Sequence, residues 1–337
     1  LGSTWGALVR LRNRLYDRAW LPIPDPPMPV VAVGNLTLGG TGKTPWVSYL
    51  LGSLSRPGRV LGVLTRGYGP SRDEARLLAA RHPEIAIAID PDRNRGARDL
   101  SRRGVTVAIA DDAFQHRRLR RVADLLLLDA RHPFGNERVL PAGMLREPVD
   151  AVRRATAVIL TRFGEATEEE RARLEKRLLS WLPGERMFRS NLEVASWWEL
   201  RRSGEWATVA AEALEQDANA GAAERLLDLQ RIAGAAVVAV CAIGNPASFH
   251  RTLRAHRLDV RHAIAHRDHH RFEERDLAEI TEHALRLGVC WIACTEKDLY
   301  NLPSDWRPPV PLLVPRLRVS VDRPADLLAL LESRLTL

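Results

Sequence analysis

Lysine is scarce in this chain. Among fifty basic residues in 337, only Lys43, Lys176 and Lys297 are lysine, and the rest are arginine. Where arginine serves almost everywhere, a retained lysine is a candidate for chemistry that a guanidinium does less well. Cysteine is scarce too. Cys241, Cys290 and Cys294 show no C-x-x-C spacing, which excludes a disulfide framework and a thiolate metal site and predicts reduced core thiols in a cytosolic protein. No apolar run approaches the roughly 18 residues that a membrane-spanning helix needs. There is no secretory leader pattern, although a chain that opens on Leu1 is expected to have a trimmed start. Internal repeats, long low-complexity tracts and aromatic–basic RNA motifs are also missing, and the arginines are spread along the chain, so nucleic acid is not an expected partner.

What remains is an ordinary globular composition, 45% apolar, in a length that suits about two domains. The formal charge of +8 predicts an anionic partner; charge alone does not choose among nucleic acid, an acidic membrane face and a phosphorylated substrate, and the missing motifs disfavour the first. Residues 1–20 carry helical periodicity. Trp5, Leu8, Val9, Leu15, Tyr16, Ala19 and Trp20 are expected on one face, with Arg10, Arg14 and Arg18 away from it. That pattern fits a helix lying in a membrane interface and equally a surface helix packed on its own domain. Repeated prolines in LPIPDPPMP end it.

Strands then alternate with helices. Strands are predicted at 30–33, 59–64, 85–89, 105–110, 125–129 and 157–161, and helices at 45–53, 94–103 and 168–181. This order implies a doubly wound parallel α/β sheet. The stretch FRSNLEVASWWELRRSGEWATV alternates at period two and turns at Arg202-Ser203-Gly204, the pattern of a two-stranded hairpin that could link two blocks. A helix is expected over 210–231. A second, smaller α/β block follows, with strands at 236–241, 261–265 and 290–294 and helices at 248–255, 273–287 and 324–335. The expected division is therefore 1–187, a linker at 188–207, and 208–337.

Three stretches and a set of three shorter ones carry chemistry. VAVGNLTLGGTGKTPWVSYL reads as strand, glycine loop, helix. Backbone N–H groups in such a loop, together with the positive end of the helix, cradle phosphate oxygens. Lys43 would set a compact ammonium against the β- and γ-phosphates, and the Thr44 hydroxyl would ligate Mg²⁺. Thr37 stands where the strict pattern has its first glycine, and Gly39 and Gly40 can supply that freedom. Second, VTVAIADDAFQHRRL is a buried-type strand ending in Asp111-Asp112, where the metal partner of a phosphate loop belongs. Adjacent aspartates point to opposite sides, so at most one is expected to touch Mg²⁺. Third, RHAIAHRDHHRF holds His262, His266, His269 and His270. With no cysteine or glutamate at matching spacing, zinc is disfavoured, and an acid–base or orienting role for one histidine is expected. LTRGYG, RDEARLL and LPAGMLREP form the last set; each places polar or glycine residues after a predicted strand end, for a site or simply for a turn.

Taken in order, VGNLTLGGTGKTP, TRGYG, DDAFQHRRL, LPAGMLREP, IGNPASFHRTL, DHHRF and TEKD resemble the tetraacyldisaccharide 4′-kinases over nearly the whole chain. The resemblance implies a P-loop NTPase-like domain and a second α/β domain joined by a two-stranded linker. The implied activity is transfer of the γ-phosphoryl of ATP to the 4′-hydroxyl of a tetraacylated glucosamine disaccharide 1-phosphate, at the cytoplasmic face of the inner membrane. It implies that Gly39, Gly40, Thr41, Gly42, Lys43 and Thr44 hold ATP. Thr44, Asp111 and Asp112 would serve Mg²⁺, with Asp112 also catalytic and Gln115 beside them. Asp73 is implied as the base for the sugar hydroxyl, His269 as its support, and Arg146 and Glu147 as residues near the substrate. On this view domain closure assembles the site. Three departures stand out: Ala113 replaces a usual glycine, Arg72 and Ala75 replace Gly and Pro around Asp73, and the chain between Gly69 and Asp73 is shorter than in the family by roughly twenty residues. Two rivals remain from the residues alone: a P-loop switch that hydrolyses ATP or GTP without lipid, and a basic non-enzymatic binder.

Overall fold

The computed structural model describes residues 2–67, 73–200, 229–268 and 270–336. Contacts divide the chain into two compact units, 1–67 with 84–192 and 319–337, and 68–83 with 193–318.

The first unit begins with α1 (Gly2–Asp17), β1 (Val30–Asn35), α2 (Lys43–Leu54) and β2 (Leu61–Thr65). After α3 (Asp73–Arg81), which belongs to the second unit, it resumes with β3 (Ala86–Ile89), α4 (Arg93–Arg102), β4 (Val107–Asp111) and β5 (Ala123–Asp129). β6 (Ala157–Thr161), α5 (Glu168–Leu178) and the start of β7 (Met187–Leu200) follow. The strand order is β3-β2-β4-β1-β5-β6-β7, and every pairing given for it is parallel. β1, β2, β4 and β6 are buried along their whole length. Such strands read as unbroken apolar runs because a parallel sheet is covered on both faces. On one side Leu126, Leu128, Val158 and Leu160 pack with Leu174 and Leu178 of α5. Another cluster joins Val30, Ala32, Ala108 and Ala110 to Ala97 and Leu100 of α4. The helices start where side chains satisfy their free N–H groups. Asp92 accepts from the backbone N–H of Asn94 and Arg95, and Thr167 with Glu170 forms a reciprocal capping box.

The second unit holds β8 (Ala236–Cys241), α6 (Pro246–Ala255), β9 (Asp259–Ala265), α7 (Glu274–Leu287), β10 (Trp291–Cys294) and most of β11 (Leu312–Val321). Its strands run β11-β10-β8-β9, again parallel. The core gathers Val238, Val240, Ile280, Ile292, Leu312 and Val314 with Leu77 of α3.

Several features differ from the sequence expectations. The units interleave along the chain. From Asp73 onward the RDEARLL stretch is helix rather than a simple turn, because Leu77 and Leu78 are buried and Arg81 forms an ion pair with Glu296. The C-terminal helix Pro324–Leu335 lies in the first unit, where Glu332 receives both nitrogens of Arg59 at 2.6 and 2.7 Å. The chain leaves the first unit within β7 and returns to it within β11. β11 went unread because Pro315 interrupts its pattern. The expected turn at 202–204, the return strand after it and most of the helix over 210–231 lie outside the described residues. In α1 the apolar residues do not share one face. Val9 turns inward, whereas Trp5, Leu8 and Leu11 are 50%, 55% and 54% exposed. Cys241 and Cys294 are buried as expected, but Cys290 is exposed because it precedes β10 instead of lying in it.

Candidate active site

β1 ends at Asn35, and the glycine loop carries the chain to α2. Gly42 sits in the left-handed region, φ 84°, at the N-cap of α2, with no side chain accepting from the first turn. The first intrahelical bond, Trp46 N–H to Gly42 O, is 3.3 Å. The leading N–H groups of α2 therefore face outward with the positive end of the helix behind them, an arrangement suited to an anion. Gly39 is also left-handed, φ 116°, so the freedom that Thr37 cannot give is supplied two residues later. Asn35 braces the loop. Its Nδ2 donates to Thr37 O at 2.8 Å and its Oδ1 accepts from Lys43 Nζ at 3.4 Å.

Asp111 closes β4 and is buried. Asp112 follows with φ 49°. The left-handed residue of this segment is thus Asp112 and not Ala113, which explains why a methyl is accepted where glycine is usual. The segment crosses the end of β1 closely. Ala113 N–H donates to Val33 O at 3.1 Å, and a Cβ on Gly34 would lie 2.6 Å from Phe114 Cβ. Gln115 Nε2 donates to Asn35 O at 2.9 Å. Lys43 Nζ lies 3.6 Å from Asp112 Oδ1, and Arg146 Nη1 donates to both Asp112 oxygens at 2.8 Å. Burial would raise the Asp112 pKa, but the Lys43 ammonium and the Arg146 guanidinium outweigh it and hold the carboxyl below its ordinary value. Asp112 is therefore ionised at neutral pH, between two cations.

The segment carrying Arg146 pairs with the glycine loop. Leu38 N–H donates to Met144 O at 2.8 Å, Arg146 N–H donates to Leu36 O at 2.7 Å, and Thr37 and Leu145 form an isolated bridge. Glu147 points the other way. It is fully buried and receives Arg12, Asn13 and Arg154. A carboxylate enclosed by three donors fixes structure, a supporting place beside the site rather than a direct contact for a ligand.

The second unit holds the other implied residues. Asp73 is the first residue of α3, and His269 lies outside the described residues. Their neighbours meet on a lysine. Lys297 Nζ lies 2.9 Å from Asp268 Oδ1 and 3.9 Å from Glu74 Oε1. The other three histidines are paired off. His262 stacks on His283 at 3.8 Å, His266 stacks on His270 at 4.3 Å, and His270 Nε2 lies 2.7 Å from Asp276 Oδ2. Glu279 also approaches His262 and His283, a partner invisible in the local spacing. Asp298, in TEKD, is buried and accepts from Ala242 N–H and Thr295, and burial pushes its pKa up to about 6.

The sequence reading missed two supports of the loop and one of Asp111. Arg162, just after β6, donates Nη2 to Gly40 O at 2.7 Å and Nη1 to Asp129 Oδ2 at 2.6 Å. Asn35 lay inside the quoted motif without a role. Arg93 is buried and donates to Asp111 O at 2.8 Å. Only the position of Arg162 and Asp129 at parallel strand ends could have hinted at them.

The donors fit Mg²⁺ and a triphosphate. Thr44, Asp111 and Asp112 offer the hard oxygens that Mg²⁺ takes. The Thr41 hydroxyl and Gln115 Oε1 are buried without a hydrogen-bond partner, which a polyphosphate or its ordered water would satisfy.

A family profile described as Tetraacyldisaccharide-1-P 4′-kinase matches residues 1–336. A tetraacyldisaccharide 4′-kinase from Anaeromyxobacter dehalogenans (strain 2CP-C) is 35% identical over 317 residues, covering 88% of this chain and 78% of its own. That of Geobacter sulfurreducens is 33% identical, covering 98% and 90%. The fold is similar to the crystal structure of "apo" form LpxK from Aquifex aeolicus in complex with ATP, with a TM-score of 0.70, 24% identity, and 99% and 97% of the two chains covered.

Proposed function

The chain belongs to the tetraacyldisaccharide-1-P 4′-kinase family, and from that premise we propose that it transfers the γ-phosphoryl of ATP to the 4′-hydroxyl of a tetraacylated glucosamine disaccharide 1-phosphate in lipid A biosynthesis. The observation that carries this reading is the uncapped start of α2, with Lys43 held beside Asp112 by Asn35. Backbone N–H groups of residues 39–44 bind the β- and γ-phosphates. Lys43 offsets the charge that builds on the transferring group. Thr44 and one of Asp111 and Asp112 would hold Mg²⁺, with the other aspartate acting through water, and the ion would supply further charge neutralisation. Arg146 fixes Asp112 so that its carboxylate stays ionised and oriented. Asp73 is the base for the 4′-hydroxyl proton, with His269 in support.

The lipid substrate places the work at a membrane. Among the described residues no helix is long and apolar enough to cross one. α1 exposes Trp5, Leu8 and Leu11, with Arg10 and Arg14 also exposed on the same helix. Such a helix lies in the interface of an anionic leaflet, here the cytoplasmic face of the inner membrane, as a peripheral attachment.

The test supplies ATP labelled in its γ-phosphate and the disaccharide 1-phosphate in detergent. Label in the lipid, lost in Lys43→Ala, supports the proposal. Label released only as inorganic phosphate would indicate an NTPase switch instead, and no turnover would indicate a binding protein.

A further inference from the structure

Glu147 occupies an unusual position. It is fully buried, yet two of its three partners lie on α1. Arg12 Nη2 donates to Oε1 at 2.8 Å and Asn13 Nδ2 to Oε2 at 3.1 Å, while Arg154 Nη2 donates to Oε2 at 2.7 Å. The preceding residue, Arg146, bonds through its backbone to Leu36 and through its guanidinium to Asp112. Two adjacent residues therefore grip the exposed-face helix on one side and the phosphate loop with its acidic partner on the other. A second tie runs parallel. Arg117, five residues after Asp112, donates to Asp17 at 2.7 Å and stacks over Tyr16, both at the end of α1.

We propose that Glu147 is a positioning residue that couples the seating of α1 on a lipid surface to the phosphate site, so that membrane attachment tightens Mg-ATP binding. This rests on the membrane-facing reading of α1 given above. The chemistry requires rigid transmission. A carboxylate removed from water and closed by three charged or polar donors cannot shift without leaving one of them unpaired, so displacement of Arg12 and Asn13 passes into the 146–147 backbone. From there it reaches the two segments that Arg146 holds, the end of the glycine loop and Asp112. Asp112 in turn sets the place of Lys43. Orientation of α1 by a surface thereby selects one setting of the loop. Two sites biased by one element must respond to each other by the same factor.

The experiment measures both bindings on the full chain. A non-hydrolysable ATP analogue with Mg²⁺ is titrated with and without vesicles of phosphatidylethanolamine and phosphatidylglycerol, and vesicle binding is followed with and without the analogue. Wild type is expected to bind the analogue about fivefold tighter on vesicles, and vesicles tighter by the same factor with the analogue. In Arg12→Ala both ligands still bind and the factor falls to one. Arg12 is partly exposed, and Glu147 keeps Asn13 and Arg154, so this variant is expected to fold; Glu147→Gln, if it folds, behaves alike. Arg12→Lys restores part of the factor, which a purely structural loss of stability would not do. A factor of one in wild type, or a full factor in Arg12→Ala, overturns the proposal while leaving membrane attachment intact. Absence of vesicle binding by wild type overturns the attachment reading and the coupling with it.

Discussion

Gly34→Ala tests the site's geometry without removing a chemical group. A methyl at Gly34 would lie 2.6 Å from Phe114 Cβ and 2.8 Å from Phe114 N. Both are far inside contact distance, and one is backbone, so no rotamer change relieves the clash. Phe114 is itself buried, and Ala113 is fixed to Val33, so the strain falls on the segment that carries Asp112 and Gln115. Overpacking of this kind costs about 1–3 kcal/mol. For a unit of this size that lowers Tm by about 2–12 °C. Displacing Asp112 and Gln115 by even about 1 Å is expected to lower kcat by up to about 100-fold, because phosphoryl transfer depends on positioning. The assay pairs a thermal melt with turnover on the disaccharide lipid at saturating ATP. The neighbouring change Ala113→Gly serves as the control. Ala113 does not occupy the left-handed region, so glycine there is expected to leave kcat near wild type. A Gly34→Ala protein with wild-type Tm and kcat would refute the close crossing of β1 by this segment.

Three further outcomes follow from particular contacts. Arg162→Ala frees the Gly40 carbonyl and leaves Asp129 with Arg131 alone, and it is expected to weaken Mg-ATP binding about tenfold in a fluorescence titration; an unchanged Kd would contradict the loop-bracing role. Lys297→Met releases Asp268 and Glu74, the neighbours of His269 and Asp73, so kcat is expected to fall about tenfold with Mg-ATP affinity unchanged, and a change confined to nucleotide binding would count against it. Burial, with Arg93 and Arg121 adding to it, pushes the His116 pKa down to about 4 from 6.5, so the unfolded chain takes up a proton that the folded chain refuses. The stabilisation is complete above pH 6.5 and is lost as pH falls through 6.5 toward 4; it amounts to about 1–2 kcal/mol after allowance for partial exposure. Urea unfolding of His116→Phe is expected to show a flatter acid limb in that window, and an identical limb would show that His116 is not the group responsible.

The fold was legible where periodicity was undisturbed. Strands such as 157–161 and 236–241 are continuous apolar runs, and their parallel pairing follows from the helices between them. β11 was hidden by Pro315, and the assignment of the C-terminal helix to the first unit depends on the Arg59–Glu332 pair, 273 residues apart in sequence. Chain order carries no signal of such a contact. Within the site, Lys43, Asp111 and Asp112 announce themselves by residue type and place at strand ends. Arg146 beside Asp112 could be suspected only from motif order. The inward turn of Glu147 could not be anticipated, because a carboxylate next to a site arginine reads the same on paper whether it faces a ligand or anchors a helix. The Gln115 and Asn35 contacts likewise arise from the tertiary crossing that Gly34 permits. Asp73 remains at the head of α3, and the shortened chain before it lies outside the described residues.

A crystal soaked with Mg²⁺ and a non-hydrolysable ATP analogue tests the phosphate-binding role of the glycine loop most directly. The expected result places the β- and γ-phosphates on the backbone N–H groups of residues 39–44, with Lys43 Nζ in hydrogen-bond reach of them. An analogue lodged elsewhere, with that loop free of phosphate, would contradict the account.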